Sequence, residues 1–321
     1  MPNEQDCPAT HASLCRFGTL AIHRAMIIVF GSINLDLIFP VPHIPGPGET
    51  VLGPSIRIEP GGKGANQGIA AARDGATVIM AGAVGRDTFA ASALALLREA
   101  NIDLTRVIET DTSTGCAAIA VDPAGNNAIA VGSGANLLAR ATQIEDELLG
   151  PESTLVLQME VPVRETAALI SRARARGARV ILNLAPAGPF PEHALRELDI
   201  LVINETESAW LAAHLGCTDS TQALRDYLNV TIVRTLGGDG SEVATADDVK
   251  SIPARSIIPV DTTAAGDCFV GIMAAALDRG ATLIAALNRA TAAAALCCMR
   301  HGSQSSIPTA NETDALPQPD L

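Results

Sequence analysis

Aromatic side chains are nearly missing: six Phe, one Trp and one Tyr supply 2% of 321 residues, while hydrophobic residues as a whole supply 48%. A core without large rings must be built from Ala, Val, Ile and Leu, which suits helices laid on buried strands better than an all-β sandwich. Basic residues are also few, 22 Lys and Arg against 35 Asp and Glu, for a formal net charge of −13. An acidic surface repels polyanions, so neither nucleic acid nor an anionic membrane is an expected partner. An anionic ligand must then be held by backbone N–H groups, a metal ion or a few placed cations.

The seven cysteines (Cys7, Cys15, Cys116, Cys217, Cys268, Cys297 and Cys298) are odd in number and nowhere spaced C-x-x-C. That pattern supports neither a disulfide framework nor a zinc site, and fits reduced thiols. Residues 1–25 lack the apolar core and cleavage pattern of a signal peptide. The most apolar late stretch, residues 281–299, is interrupted by Asn288 and Arg289 and reads as a buried helix rather than a membrane span. A cytoplasmic protein is expected. The dinucleotide fingerprint G-x-G-x-x-G is absent after the first strand, which disfavours an NAD-dependent dehydrogenase.

What is present is a β–α rhythm that starts abruptly at Met26 with "MIIVFGS". Strands are predicted at residues 77–85, 154–160, 179–183, 199–204 and 230–237. Helices are predicted after Asp87 (through Phe89, Ala93, Leu96 and Leu97), over 164–177 ending at Gly177, and over 204–216. The alternation predicts an α/β domain of three layers, α/β/α, with a mainly parallel sheet. Residues 37–62 and 114–134 break the rhythm with Pro, Gly and short β segments, and together predict a small β-sheet lid. Residues 1–25 are expected to be a disordered extension, 26–308 the functional domain and 309–321 a tail.

Five motifs carry chemistry. "GSINLD" (31–36) follows the opening strand, where ligands of open α/β sheets bind, and places Asn34 and Asp36 either in a turn or against a polyhydroxylated ligand. "GGKGANQ" (61–67) offers Gly62 for close backbone approach, with Lys63 and Asn66 beside it. "NETE" (204–207) sets Asn204 and Glu207 three apart, a spacing that serves a hydrated Mg²⁺ and a capping box equally. "TLGGDG" (235–240) is a glycine-rich turn suited to nucleotide phosphates or to an ordinary β-turn. In "VDTTAAGDCF" (260–269), helical periodicity through Phe269, Ile272, Met273, Ala276 and Leu277 puts Ala264, Ala265, Gly266 and Asp267 at a helix N-terminus. Unpaired N–H groups there attract an anion, and Asp267 reads as a helix cap or as a base.

These motifs, with "STGCAAIAV", "GSGAN", "LQME" and "RHGSQSSIP", resemble in content and order the ribokinase-like (PfkB) carbohydrate kinases, from about Met26 to Pro308. The resemblance implies ATP-dependent transfer of a γ-phosphoryl group to the 5-hydroxyl of D-ribose, with Mg²⁺ carried by ATP. It implies that Asn34, Asp36, Gly62, Lys63, Asn66 and Glu160 surround the sugar and that Asp267 is the base. Ala264 to Gly266 would form the anion hole, Asn204 and Glu207 would organise Mg²⁺ through water, and Thr235, Gly237 and Gly240 would meet ATP. Asp261, Thr263, Cys297, Arg300, Gly302 and Ser306 match a loop for an activating monovalent cation such as K⁺, chiefly through carbonyl oxygens. Homodimerisation through the lid is expected as well. Cys268, Arg234 and Ser303 depart from the family pattern without removing a reacting group. A phosphosugar kinase is disfavoured by the scarcity of cations near the sugar motifs, with Arg57 and Lys63 alone basic in residues 31–66 and none in 112–136, and a nucleoside kinase by the single lid aromatic, Phe39. A non-catalytic sugar-binding regulator is disfavoured by the intact Asp267.

Overall fold

The computed structural model describes residues 25–316, so the expected extension lies outside the described residues but for Ala25. The strands in chain order are β1 (Met26–Phe30), β2 (Asn34–Pro40), β3 (Arg57–Gly61), β4 (Val78–Gly85), β5 (Asp103–Thr110), β6 (Gly115–Val121) and β7 (Asn127–Gly132). They continue with β8 (Ser153–Leu157), β9 (Arg179–Asn183), β10 (Ile200–Asn204), β11 (Thr231–Thr235), β12 (Ser241–Ala244) and β13 (Val249–Ile252). The helices are α1 (Lys63–Arg73), α2 (Thr88–Ala93), α3 (Ala95–Glu99), α4 (Val163–Arg176) and α5 (Glu192–Leu195). After them come α6 (Glu205–Leu215), α7 (Thr221–Leu228), α8 (Ala265–Asp278), α9 (Leu283–Cys298) and α10 (Ala310–Asp314).

One sheet of nine strands runs β13-β12-β11-β10-β9-β8-β1-β4-β5. It is parallel from β11 to β5, with β12 and β13 added antiparallel at one edge. Its central strands are apolar on both faces, as a sheet covered by helices on both sides requires. One core holds α1, α8 and α9 against the sheet, and the other holds α4 to α7. This is the three-layer fold expected. The chain order reverses between β1 and β8, which makes the carboxyl ends of β1, β8, β9, β10 and β11 the place for a ligand.

The predicted lid is a separate four-stranded sheet, β3-β2-β6-β7. It begins earlier than expected, at Asn34, so "GSINLD" is the hinge between the two sheets rather than a turn. The parallel β2–β6 pair joins the two lid segments, from Asn34↔Gly115 to Pro40↔Val121. Other boundaries also moved. The strand expected over 154–160 stops at Leu157, freeing Gln158 and Glu160 for side-chain work. The helix after Asp87 breaks at Leu94 into α2 and α3, with the Asp87 side chain capping Ala90 N as predicted. Gly177 ends α4 in the left-handed conformation, as read. Part of the expected tail is α10, capped by Thr309 and paired through Glu312 to Arg300 (2.6 Å). Residues 281–299 hold the largely buried helix α9, and among the described residues no helix is long and apolar enough to cross a membrane.

Small residues explain how α1 and α8 come together. A Cβ on Gly271 of α8 would lie 2.3 Å from Gln67 O and 2.6 Å from Ala70 Cβ of α1. Gly271→Ala is therefore expected to lower stability by about 1–3 kcal/mol in urea or thermal unfolding, the usual penalty of overpacking. Gly266→Ala, whose added Cβ would meet open space, should stay within about 0.5 kcal/mol.

Candidate active site

Asp267 does not cap its helix. The N-cap position of α8 is Ala264, in the left-handed region at φ 59°, and Asp267 sits one turn into the helix. Its two carboxylate oxygens are each held by an amide of α1. Asn66 Nδ2 donates to Oδ2 and Gln67 Nε2 to Oδ1, both at 2.9 Å. The side chain is buried, with 7% exposure. The Ala265 N–H is taken by Thr262 O (3.2 Å), whereas no acceptor among the described residues meets the N–H groups of Ala264, Gly266 and Asp267. The small-residue turn thus presents free donors beside a carboxylate.

On one side of Asp267 lies a cavity of about 220 Å³, lined by Lys63, Asn183, Asn204, Glu207, Thr235, Gly266 and Asp267 among others. Asn204 and Glu207 form the capping box of α6: Asn204 N donates to Glu207 Oε2 and Glu207 N to Asn204 Oδ1, both at 2.8 Å. That engages one Glu207 oxygen and leaves the other for the cavity, so the cap leaves an oxygen free for a ligand there. Burial raises the Glu207 carboxyl above its usual range, against the pull of the Asn204 N–H and Lys63. Among the described residues no group of three or more acidic, His or Cys side chains could hold a bare metal ion. A single buried carboxylate plus an amide fits a hydrated Mg²⁺ that arrives with phosphates. Of the glycine-rich turn, only Thr235 lines this cavity. Gly240, at φ 99°, is fixed by the backbone instead, since a Cβ there would lie 2.1 Å from Ile252 O.

On the other side lies an acidic cluster. Lys63 is half-buried, and burial would lower its ammonium, but Asp267, Glu160, Glu207 and Asp36 outweigh that and raise it. Glu160 Oε2 accepts from Ser32 Oγ (2.6 Å) and Lys63 N (3.2 Å), which ties the end of β8 to β1 and α1. Asn34 Oδ1 accepts from Asn136 Nδ2 (2.7 Å), while Asn136 Oδ1 accepts from Ile33 N (2.9 Å). A Cβ on Gly62 (φ 90°) would sit 2.8 Å from Asn34 N, so only glycine lets α1 start there. Asp36 opens on a lid cleft of about 1030 Å³ that also reaches Glu59, Asp261 and Thr263. Burial, then Glu160, Glu59 and Asp267, push its carboxyl up to about 7.

The expected cation loop also converges. Asp261 Oδ1 accepts from Thr263 N (2.9 Å) and Oδ2 from Gly302 N (3.1 Å). Burial opposes ionisation of Asp261, yet these donors hold its carboxyl below the usual range. Cys297 Sγ lies 3.0 Å from Ser306 Oγ, and Arg300 turns its guanidinium to Glu312, leaving its main chain to the loop. The departures from the pattern have partners: Ser303 Oγ donates to Pro60 O (2.6 Å), Arg234 lies 3.5 Å from Asp219, and Cys268 is buried beside Cys297. All described cysteines are free. Ser32, Gln67, Asn136, Gln158 and Asn183 were given no role in advance, although four of them stand inside the quoted motifs.

The chain matches the pfkB family of carbohydrate kinases over residues 24–310 and belongs to that family. It is 34% identical to the ribokinase of Haemophilus influenzae, covering 90% of this chain and 97% of that one. It is also 34% identical to the deoxyribokinase of Salmonella typhi, over 88% of this chain and 95% of the relative. Its fold matches the ribokinase of Arabidopsis thaliana complexed with ribose and ATP, with a TM-score of 0.81, 27% identity, and 90% and 97% of the two chains covered.

Asp36 also carries a stability cost. Its carboxyl titrates higher in the folded chain than the usual 3.8, so the folded state holds the proton more tightly and ionisation works against folding. That cost grows from about pH 4 to about pH 7 and is complete above. Asp36→Asn should raise stability at pH 8 by up to about 4 kcal/mol, with the gain shrinking toward pH 4. Melting temperatures across that range check it.

Proposed function

We propose that this chain phosphorylates D-ribose at the 5-hydroxyl with ATP, giving ribose 5-phosphate and ADP. The observation that carries the reading is the position of Asp267: a clamped carboxylate beside free backbone donors, between the acidic amide-lined cluster and the Asn204–Glu207 cavity. Asn34, Asp36, Gly62, Lys63, Asn66 and Glu160 hold the sugar, whose hydroxyls donate to the carboxylates. Asn66 Oδ1 is buried without a partner, as a group waiting for a hydroxyl would be. Asp267 accepts the proton of the attacking hydroxyl, and the N–H groups of Ala264 and Gly266, on the turn with Ala265, receive the transferring phosphoryl group. Thr235, Gly237 and Gly240 meet the nucleotide.

Mg²⁺, brought with ATP, would be held through water by Asn204 and Glu207 and would neutralise phosphate charge. An activating monovalent cation such as K⁺ would be held by main-chain oxygens of Asp261, Thr263, Cys297, Arg300 and Gly302 with Ser306. The oxygen-rich loop fits a hard cation, and Asp261 supplies its negative charge. Residues 26–308 act as one kinase unit with a lid, and the protein works in the cytoplasm.

The similarity to a deoxyribokinase makes 2-deoxyribose the second reading. An ADP-release assay with ribose, 2-deoxyribose, fructose and adenosine, with and without K⁺, is expected to show the highest kcat/KM for ribose. A higher value for another acceptor would overturn the assignment. Asp267→Ala should lower kcat by roughly 10²–10⁴-fold, and near-normal turnover would remove it from the mechanism.

Two copies pair through the lid. The edge strand β7 is exposed along its length, and Ile58 (55%), Ile129 (56%) and Val131 (51%) leave apolar surface open. Light scattering is expected to give a dimer mass at micromolar concentration and a monomer for Ile129→Asp. A monomeric parent would sink the pairing.

A further inference from the structure

Behind the carboxylate runs a line of amides, Gln67, Gln158 and Asn183, of which only Asn183 reaches the cavity beside Asp267. Gln67 is fully buried, and it lies outside the linings of both cavities described above. Its Nε2 has two hydrogens, and both are used: one goes to Asp267 Oδ1 (2.9 Å) and one to Asn183 Oδ1 (3.1 Å). Its Oε1 accepts from Gln158 Nε2 (2.7 Å). Asn183 in turn donates to Val202 O of β10 (3.3 Å). The amide of Gln67 therefore cannot flip without losing three hydrogen bonds in a buried site. Gln158 and Asn183 stand at the carboxyl ends of β8 and β9, so two strands of the large sheet fix the direction in which Gln67 points.

We propose that Gln67 is the positioning residue of the phosphoryl-transfer site, acting through Asp267, with Gln158 and Asn183 setting its orientation. This rests on the reading of Asp267 as the base. Asn66 and Gln67 divide the work. Asn66, with an unpartnered oxygen, holds one carboxylate oxygen from the sugar side, and Gln67 holds the other from the protein interior. With each oxygen donated to by a fixed N–H, the carboxylate cannot rotate about its last bond, and the remaining lone pairs keep one direction. The cost is visible: Gln158 Oε1 is buried with no partner, and a Cβ on Gly31 would lie 1.9 Å from it, so Gly31 makes room for the orienting amide. A purely structural network would not be expected to keep an orphaned oxygen, since an apolar core of equal shape is at least as stable.

The test compares Gln67→Met, which keeps length and removes the donor, with Gln158→Met, which frees the Gln67 amide at one remove. Both are also made in the Asp267→Ala background. Unfolding curves are recorded for each, so that kinetics are read only below the melting transition. Gln67→Met is expected to lower kcat about ten- to hundredfold, the factor one hydrogen bond to a charged group carries, with the KM for sugar within about threefold. Gln158→Met should lower kcat by a smaller factor in the same pattern. In the Asp267→Ala background neither change should slow the enzyme further, because there is no carboxylate left to aim. Full kcat in a folded Gln67→Met, a rise in KM alone, or an equal loss with and without Asp267 would each overturn the proposal. Turnover of Asp267→Ala itself reports on the base separately: if it is near normal the base reading fails, whereas a dead Asp267→Ala beside an active Gln67→Met removes only Gln67.

Discussion

The close crossing of α1 and α8 is the constraint on which the rest depends. Asn66 and Gln67 ride on one helix and Asp267 on the other, and they meet only because Gly271 lets the backbones approach. Alanine and glycine supply most of the buried positions of α1 and α9, while α8 brings Gly271, Ala274, Ala275 and Ala276 beside larger side chains such as Phe269 and Ile272. Large side chains would hold the helices apart and the carboxylate away from its donors.

Around that crossing the fold separates two kinds of electrostatic environment. Asp267 has an amide donor on each carboxylate oxygen. Asp36, a short distance away on the lid strand, is surrounded by carboxylates that resist it. Lys63 lies near both, its ammonium pulled down by burial but held up by Asp267, Glu160, Glu207 and Asp36. Several carboxylates thus gather at this end of the sheet, where the turn before α8 offers backbone N–H groups rather than a side-chain cation.

Much of this was legible in the sequence, because the motifs lie at strand ends and helix starts, where local pattern speaks. The β–α rhythm gave the layers, and the Pro- and Gly-rich breaks gave the lid. The helix start at "TAAGD" was right to within a residue. What local pattern could not say was where a side chain points. Asp267 looks like a cap, and its partners lie about 200 residues earlier in the chain. The reading of Asn204 and Glu207 stayed divided because capping and coordination use the same spacing, and the structure shows that one does not exclude the other. Gln67, Gln158 and Asn183 escaped notice because a lone amide carries no charge and no period, and its meaning lies in its neighbours.

If Asp36 holds the sugar as proposed, its elevated carboxyl would tie ligand capture to the surrounding water. Near neutral pH it is shared between acid and base forms in the empty protein. A polyol that donates hydrogen bonds to it selects the ionised form. On the proposed sugar-binding reading, each capture would then expel part of a proton near neutral pH. The heat of binding would depend on the buffer that takes up that proton. The lid strand would in this sense be a small proton reservoir, emptied by its ligand.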